Sequence, residues 1–107
     1  MKGLMSNKNL LISSLIDHSS KYHGNTEIVY KDVNGEVARK NYNEVNIRIR
    51  KLASSLQKLN VQIGDRIATM AWSNLRHFEL YYAVSGIGAI CHTINPRLFK
   101  EQLVFII

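Results

Sequence analysis

Residues 66–94 constrain the fold more than any other stretch of the chain. Arg66-Ile67-Ala68-Thr69-Met70-Ala71-Trp72 and Ala89-Ile90-Cys91-His92-Thr93-Ile94 are mostly apolar runs of strand length. A helical pattern lies between them. Ser73 or Asn74 caps it, Leu75, Phe78, Tyr81, Tyr82 and Val84 are its apolar positions, and Gly86 and Gly88 close it. Strand, helix and strand in that order predict two parallel strands of one sheet joined by a helical crossover. Such strands are normally covered on both faces, and both runs are apolar enough to suit that.

The preceding half adds local elements. A helix is expected over residues 9–22, with Asn7 or Asn9 at its start and Gly24-Asn25 at its end. Its apolar stripe is Leu11, Leu15, Ser19 and Tyr22, flanked by Ile12 and Ile16. Glu27-Ile28-Val29-Tyr30-Lys31 and Glu36-Val37-Ala38-Arg39 read as a β-hairpin of low burial, turned at Asn34-Gly35, where both residues tolerate positive φ. Asn41 and Glu44 have the spacing of a capping box. The helix they open carries Val45, Ile49, Leu52, Leu56 and Leu59 on one face, with Ala53 alongside and Ile47 on the polar side. Gly64-Asp65 and Asn95-Pro96 mark turns, and a last helix is expected over 98–107.

Composition bounds the function. The 107 residues fit one domain, and 46% apolar with 21% charged residues is ordinary globular usage. No apolar run nears the roughly 20 residues of a membrane span, and Leu10-Leu11-Ile12 is too short for a signal-peptide core. The cytoplasm is the expected location, with peripheral membrane contact compatible with it. The single cysteine, Cys91, has no internal partner and reads as a small core hydrophobe. The net charge of +6 is spread along the chain. Arg39, Lys40, Arg48, Arg50, Lys51 and Lys58 have only Tyr42 among them as an aromatic, so a solvated basic helix face is expected rather than a nucleic-acid surface.

Chemical motifs are sparse. Gly86-Ile87-Gly88 follows a helix and precedes a strand, the reverse of a dinucleotide loop. There is no phosphate-binding G-x-x-x-x-G-K-[ST] and no G-x-S-x-G elbow. His18, His23 and His77 read as surface residues and His92 as a hydrogen-bonded strand-end residue; none has zinc spacing with Cys91. Glu79 and Glu101 read as lone carboxylates. The residues themselves nominate no catalytic, cofactor-binding or metal site.

Three stretches, in order, resemble the acyl-CoA synthetases of the adenylate-forming superfamily. Asn41-Tyr42-Asn43-Glu44-Val45 is similar to an early Thr/Ser-Tyr-x-Glu-Leu motif, with Asn and Val as mild departures. Asn60-Val61-Gln62-Ile63-Gly64-Asp65-Arg66-Ile67-Ala68 resembles the Gly-Val-x-x-Gly-Asp-Arg-Val-Ala stretch that follows, and Asn60 in place of Gly also tolerates a left-handed backbone. Ser85-Gly86-Ile87-Gly88-Ala89-Ile90 through Asn95-Pro96-Arg97-Leu98 resembles a Lys-x-Gly-Ala-Val run ending in Asn-Pro-Arg-Leu, with Lys100 where a proline or another helix-start residue is expected. The local form is most similar to medium- and long-chain fatty acyl-CoA ligases, and the resemblance covers residues 10–107.

That resemblance implies a fragment of an AMP-forming ligase. Its fold would be α/β: the incomplete N-terminal portion of an adenylate-forming domain, with a β-hairpin and a parallel β-α-β unit. Residues 1–107 would be one partial N-terminal subdomain, truncated at its C-terminus. The apolar finish Leu103-Val104-Phe105-Ile106-Ile107, which has no capping residue, agrees with that expectation. The full-length enzyme would use ATP, Mg²⁺ and CoA to activate a fatty acid as its adenylate and then as its thioester. The family's phosphate loop, adenine segment, ribose-binding Asp and mobile Lys have no counterpart in this chain. Glu44, Asp65, Asn95 and Arg97 are therefore expected to shape structure, and the chain alone is expected to be inactive. A homodimer or the missing C-terminal portion are the expected protein partners, and nucleic acid is not. The alternative is a non-catalytic binding module docking on a separately encoded ligase remainder or another partner.

Overall fold

The computed structural model describes residues 3, 4 and 6–107. In chain order the elements are α1 (Ile12–His23), β1 (Glu27–Lys31), β2 (Val37–Asn41), α2 (Tyr42–Lys58), β3 (Arg66–Met70), α3 (Leu75–Gly86), β4 (Ile90–Ile94) and α4 (Lys100–Ile106). β1 and β2 form an antiparallel hairpin, and β3 and β4 pair in parallel with Arg66 opposite Ile90 and Met70 opposite Ile94. The expected α/β composition, hairpin and β-α-β unit are all present.

Helix ends explain most element boundaries. Asn41 Oδ1 accepts the Glu44 amide at 2.9 Å, and Glu44 Oε2 accepts the Asn41 amide at 3.1 Å, which completes the capping box. α2 stops where Asn60 turns left-handed at φ 65°. The Asn60 amide then reaches the Gln57 carbonyl and the Val61 amide the Leu56 carbonyl, the bond pair of a Schellman motif. α3 ends the same way at Gly88, φ 78°, whose amide bonds Ser85 while that of Ala89 bonds Val84.

Several expectations need correction. α1 starts after Leu11, which offers no side-chain cap, so neither Asn7 nor Asn9 serves. Gly24 is right-handed at φ −53°. Its lack of a side chain matters for space: a Cβ there would lie within 2.7 Å of Asn43 Cγ. The hairpin turn uses one left-handed residue, not two. The Gly35 amide bonds the Asp32 carbonyl, Gly35 is left-handed at φ 84°, and the Asp32 amide bonds the Glu36 carbonyl. This is a three-residue loop with a glycine bulge.

The core joins Ile16 of α1, Val45 and Ile49 of α2, and Leu75 and Ala83 of α3. Ile28 and Tyr30 of the hairpin, with Leu52, Phe78 and Tyr82, pack against it. On α1 the expected stripe faces water: Leu11, Leu15 and Tyr22 are exposed and only Ile16 is buried. The last residue of the α2 stripe, Leu59, is exposed as well. In the parallel pair, Ala68, Met70 and Ile90 are exposed on one face, while Ile94 at the end of that face is buried, so the expected two-sided cover is only partial here. Cys91 is only half-buried.

The accessible surface is 8535 Å². Folded monomers of this mass expose about 6,100 Å² by the usual scaling. The radius of gyration, 16.4 Å, likewise exceeds the roughly 13 Å of a compact chain of such length.

Candidate functional site

The hairpin and the start of α3 enclose one cleft with two arms. Alternation along the strands directs Ile28 and Tyr30 of β1, and Ala38 and Lys40 of β2, towards the body of the protein. Facing them are the 71–74 loop and the first two turns of α3. Ile28, Tyr30, His77, Phe78 and Tyr81 line the larger, mostly apolar arm, of about 500 Å³. Tyr30, Asp32, Lys40, Arg48, Asn74 and Arg76 line a smaller arm of about 210 Å³. Tyr30, Asn74 and Leu75 belong to both.

Asn74 sets the geometry of the helix start. Its Oδ1 accepts the His77 amide at 3.0 Å, and this cap orients the first turn of α3 against the cleft. His77 is buried rather than on the surface. Its Nε2 lies 3.1 Å from Thr69 Oγ1, and its ring stacks on Tyr81 with centroids 4.8 Å apart. Strand β3 thereby satisfies a polar group on the helix that covers it.

Glu79 is likewise not a lone carboxylate. Arg48 Nε bonds its Oε1 and Arg48 Nη2 bonds its Oε2 at 3.0 Å, a bidentate pair linking α2 to α3. The Glu79 side chain is 6% exposed and that of Arg48 46%. The bond to Glu79 raises the Arg48 guanidinium above its ordinary range, against the lowering effect of burial. Burial, with Tyr42 adding to it, raises the Tyr82 phenol.

The basic residues of α2, Arg48, Arg50, Lys51 and Lys58, are all exposed, as a solvated helix face requires, and two of them are paired. Arg39 pairs with Glu27 at 2.8 Å, Arg50 with Asp17 at 2.9 Å, and Arg48 with Glu79. Lys51 and Lys58 are exposed, whereas Lys40 is half-buried at the small arm of the cleft. Strand alternation was the available signal for Lys40, since it shares a face with Ala38.

The other singled-out positions lie apart. Cys91 and His92 are neighbours on β4 and point to opposite faces, and His92 stands mid-strand rather than at its end. His18 and His23 are exposed, with ring centroids 5.9 Å apart. Glu101 is exposed on α4. Among the described residues, no group of three or more His, Cys, Asp or Glu side chains converges as a metal site would need.

The motif residues act on the backbone. Asp65 Oδ2 accepts the Gln62 amide at 2.7 Å, and its carbonyl accepts the Ile90 amide at 2.7 Å. The Gly64 amide bonds the Gly88 carbonyl at 2.9 Å, so two stretches separated in sequence open the parallel ladder together. Asn95 Oδ1 accepts the Arg97 amide at 3.0 Å, and the Arg97 guanidinium sits 5.1 Å from the Trp72 ring centroid.

Comparison with known proteins assigns this architecture. Residues 16–107 match the family described as AMP-binding enzyme. The chain belongs to the AMP-binding enzyme family. It is 57% identical to the 3-methylmercaptopropionyl-CoA ligase of Ruegeria lacuscaerulensis and 52% identical to the medium-chain-fatty-acid–CoA ligase of Ectopseudomonas oleovorans. Each alignment covers 100% of this chain and 20% of the relative, so this member of the family spans a fifth of the length of the curated relatives it matches. A fatty acyl CoA synthetase of Mycobacterium tuberculosis shares the fold, with a TM-score of 0.74 and 25% identity over 90% of this chain and 19% of that one. Among the described residues, no helix of this family member is long and apolar enough to cross a membrane.

Proposed function

We propose that residues 1–107 are a partial N-terminal subdomain of an ATP-dependent acyl-CoA ligase. The whole enzyme would form an acyl-adenylate from a medium- or long-chain fatty acid and transfer the acyl group to CoA. The observation that carries this reading is identity of more than half over the entire chain with relatives named as CoA ligases. The surplus of accessible surface and the two-stranded sheets fit a unit that belongs to a larger domain.

In this reading the chain is architectural. It has no Gly-rich loop or positioned Lys to stabilise charge on a transferring phosphoryl group. ATP and CoA would be held by other parts of the enzyme. A Mg²⁺ ion would serve ATP, but the described residues offer no ligand cluster that fits it, and no step is assigned to a metal on this chain.

The test is a chimera. This chain replaces the 107 matching residues of the Ruegeria relative, and pyrophosphate exchange is measured with a panel of fatty acids beside the isolated chain. The chimera is expected to exchange while the isolated chain reads blank. A folded but inactive chimera, or robust exchange by the isolated chain, would overturn the reading. Tight co-purification of the isolated chain with a separate ligase polypeptide would favour the docking module instead.

A further inference from the structure

The small arm of the cleft contains a lysine in an unusual place for a hairpin. Lys40 alternates with outward Arg39 and inward Ala38, so its ammonium is carried on the core-facing side. It is half-buried, and among the described residues no carboxylate lies within 4.0 Å of it. A cation partly withdrawn from water without a counter-charge is a cost that a bound anion would remove. Arg76, in the first turn of α3, lines the same cavity and also has no acidic partner among the described residues.

Glu79 gives both oxygens to Arg48. Asp32 lines the cavity as well; its Oδ1 accepts the Val33 amide at 2.8 Å, and its charge offsets one of the cavity's cations. Arg48 lines the cavity too, with Nε and Nη2 committed to Glu79. Three cations from three different elements, β2, α2 and α3, therefore meet one cavity of about 210 Å³. The positive end of α3 adds to the same field. With Asp32 set against Lys40 and Arg76 the cavity keeps a surplus of positive charge, and Arg suits the oxygen spacing of phosphate.

We propose that the cavity bounded by Lys40, Arg48 and Arg76 binds phosphate, free or as a phosphate monoester. This site is independent of the ligase reading, because no element of the adenylation chemistry enters the argument.

The experiment titrates inorganic phosphate, at constant ionic strength, into the full-length chimera that carries this chain, with Lys, Arg and Asn nitrogen-15-labelled, and follows its amide NMR shifts. Saturable shifts are expected at Lys40, Arg48, Asn74 and Arg76 in the millimolar range or tighter. K40M and R76M should each weaken the response at least tenfold, and K58M, on the exposed face of α2, should leave it unchanged. Repeating the titration with a soluble phosphate monoester separates a site for the free ion from one that accepts an ester; binding of either supports the proposal. A response that is absent, that is spread evenly over surface lysines, or that survives both K40M and R76M would overturn it. So would acetate saturating the same signals as tightly as phosphate, which would make the cavity a carboxylate site.

Discussion

Arg48 and Glu79 join α2 to α3 through two parallel bonds, with the carboxylate side chain 6% exposed and the guanidinium still half open to water. Removing the cation leaves a buried charge without its partner. R48M is expected to cost about 2–4 kcal/mol, a little under a fully enclosed pair because Arg48 keeps some hydration. The double variant R48M/E79M should recover at least half of that loss, since it buries no charge. Urea denaturation of the three variants checks this, and a cost of R48M within error of zero would show that the pair does not hold the helices.

Gly24 gives room to the Asn43 carboxamide and is not needed for backbone freedom. G24A brings a methyl group into the Asn43 carboxamide, which also accepts a bond from Ser20 Oγ at 2.9 Å. Asn43 is exposed and its carboxamide can swing aside, so a loss of about 1 kcal/mol, the low end of overpacking, is expected. N43A should remove most of the penalty when combined with G24A. If G24A is as stable as the parent, the close approach of β1's lead-in to α2 is looser than described.

Tyr82 gives a pH signature. Its phenol is raised by burial first and by Tyr42 second. A folded value above the unfolded one means that this contribution to stability is complete below the unfolded pKa, about 10. It is lost as pH climbs through the folded value. Ultraviolet titration should show the last of the five tyrosines ionising late, and Y82F should delete that late step. Five tyrosines titrating together would refute the assignment.

The isolated chain is expected to bind ANS, melt broadly and self-associate at micromolar concentration. Its 8535 Å² of accessible surface includes Met70 and Ile90 on the open sheet face and Phe105 and Ile107 at the end of α4. Strand edges without neighbours add to the hazard. A sharp two-state melt of a monomer would count against this expectation.

Local chemistry and the order of elements were legible in the sequence, and side-chain pairing between elements was not. The capping box and the left-handed Asn60 each follow from residues a few positions apart, and the parallel crossover from the order strand, helix, strand. α1 shows the limit of periodicity. Leu11, Leu15 and Tyr22 make the more apolar stripe, yet the buried face centres on Ile16. There, Ser13 lets α3 approach, with Gly86 facing its Cβ. Close approach selects small side chains, which an apolar count overlooks. Arg48 and Glu79 lie on separate helices, so no spacing rule connects them. The same holds for Thr69 and His77, whose bond depends on how α3 lies across β3. The cleft was readable only through the inward position of Lys40, and its second wall depends on how the hairpin packs on α3.

Asn41 is at once the last residue of β2, opposite Glu27, and the cap of α2. A one-residue slip of β2 along β1 would turn Lys40 outward and Arg39 inward. Because Asn41 ends β2 and opens α2 with no loop between, the slip would also displace α2 and pull Val45 and Ile49 from the core. The hairpin therefore cannot slide without unpacking the helix. Errors of strand alignment, common where sheets are small and flat, are here converted into loss of core packing, although the cap itself stays intact.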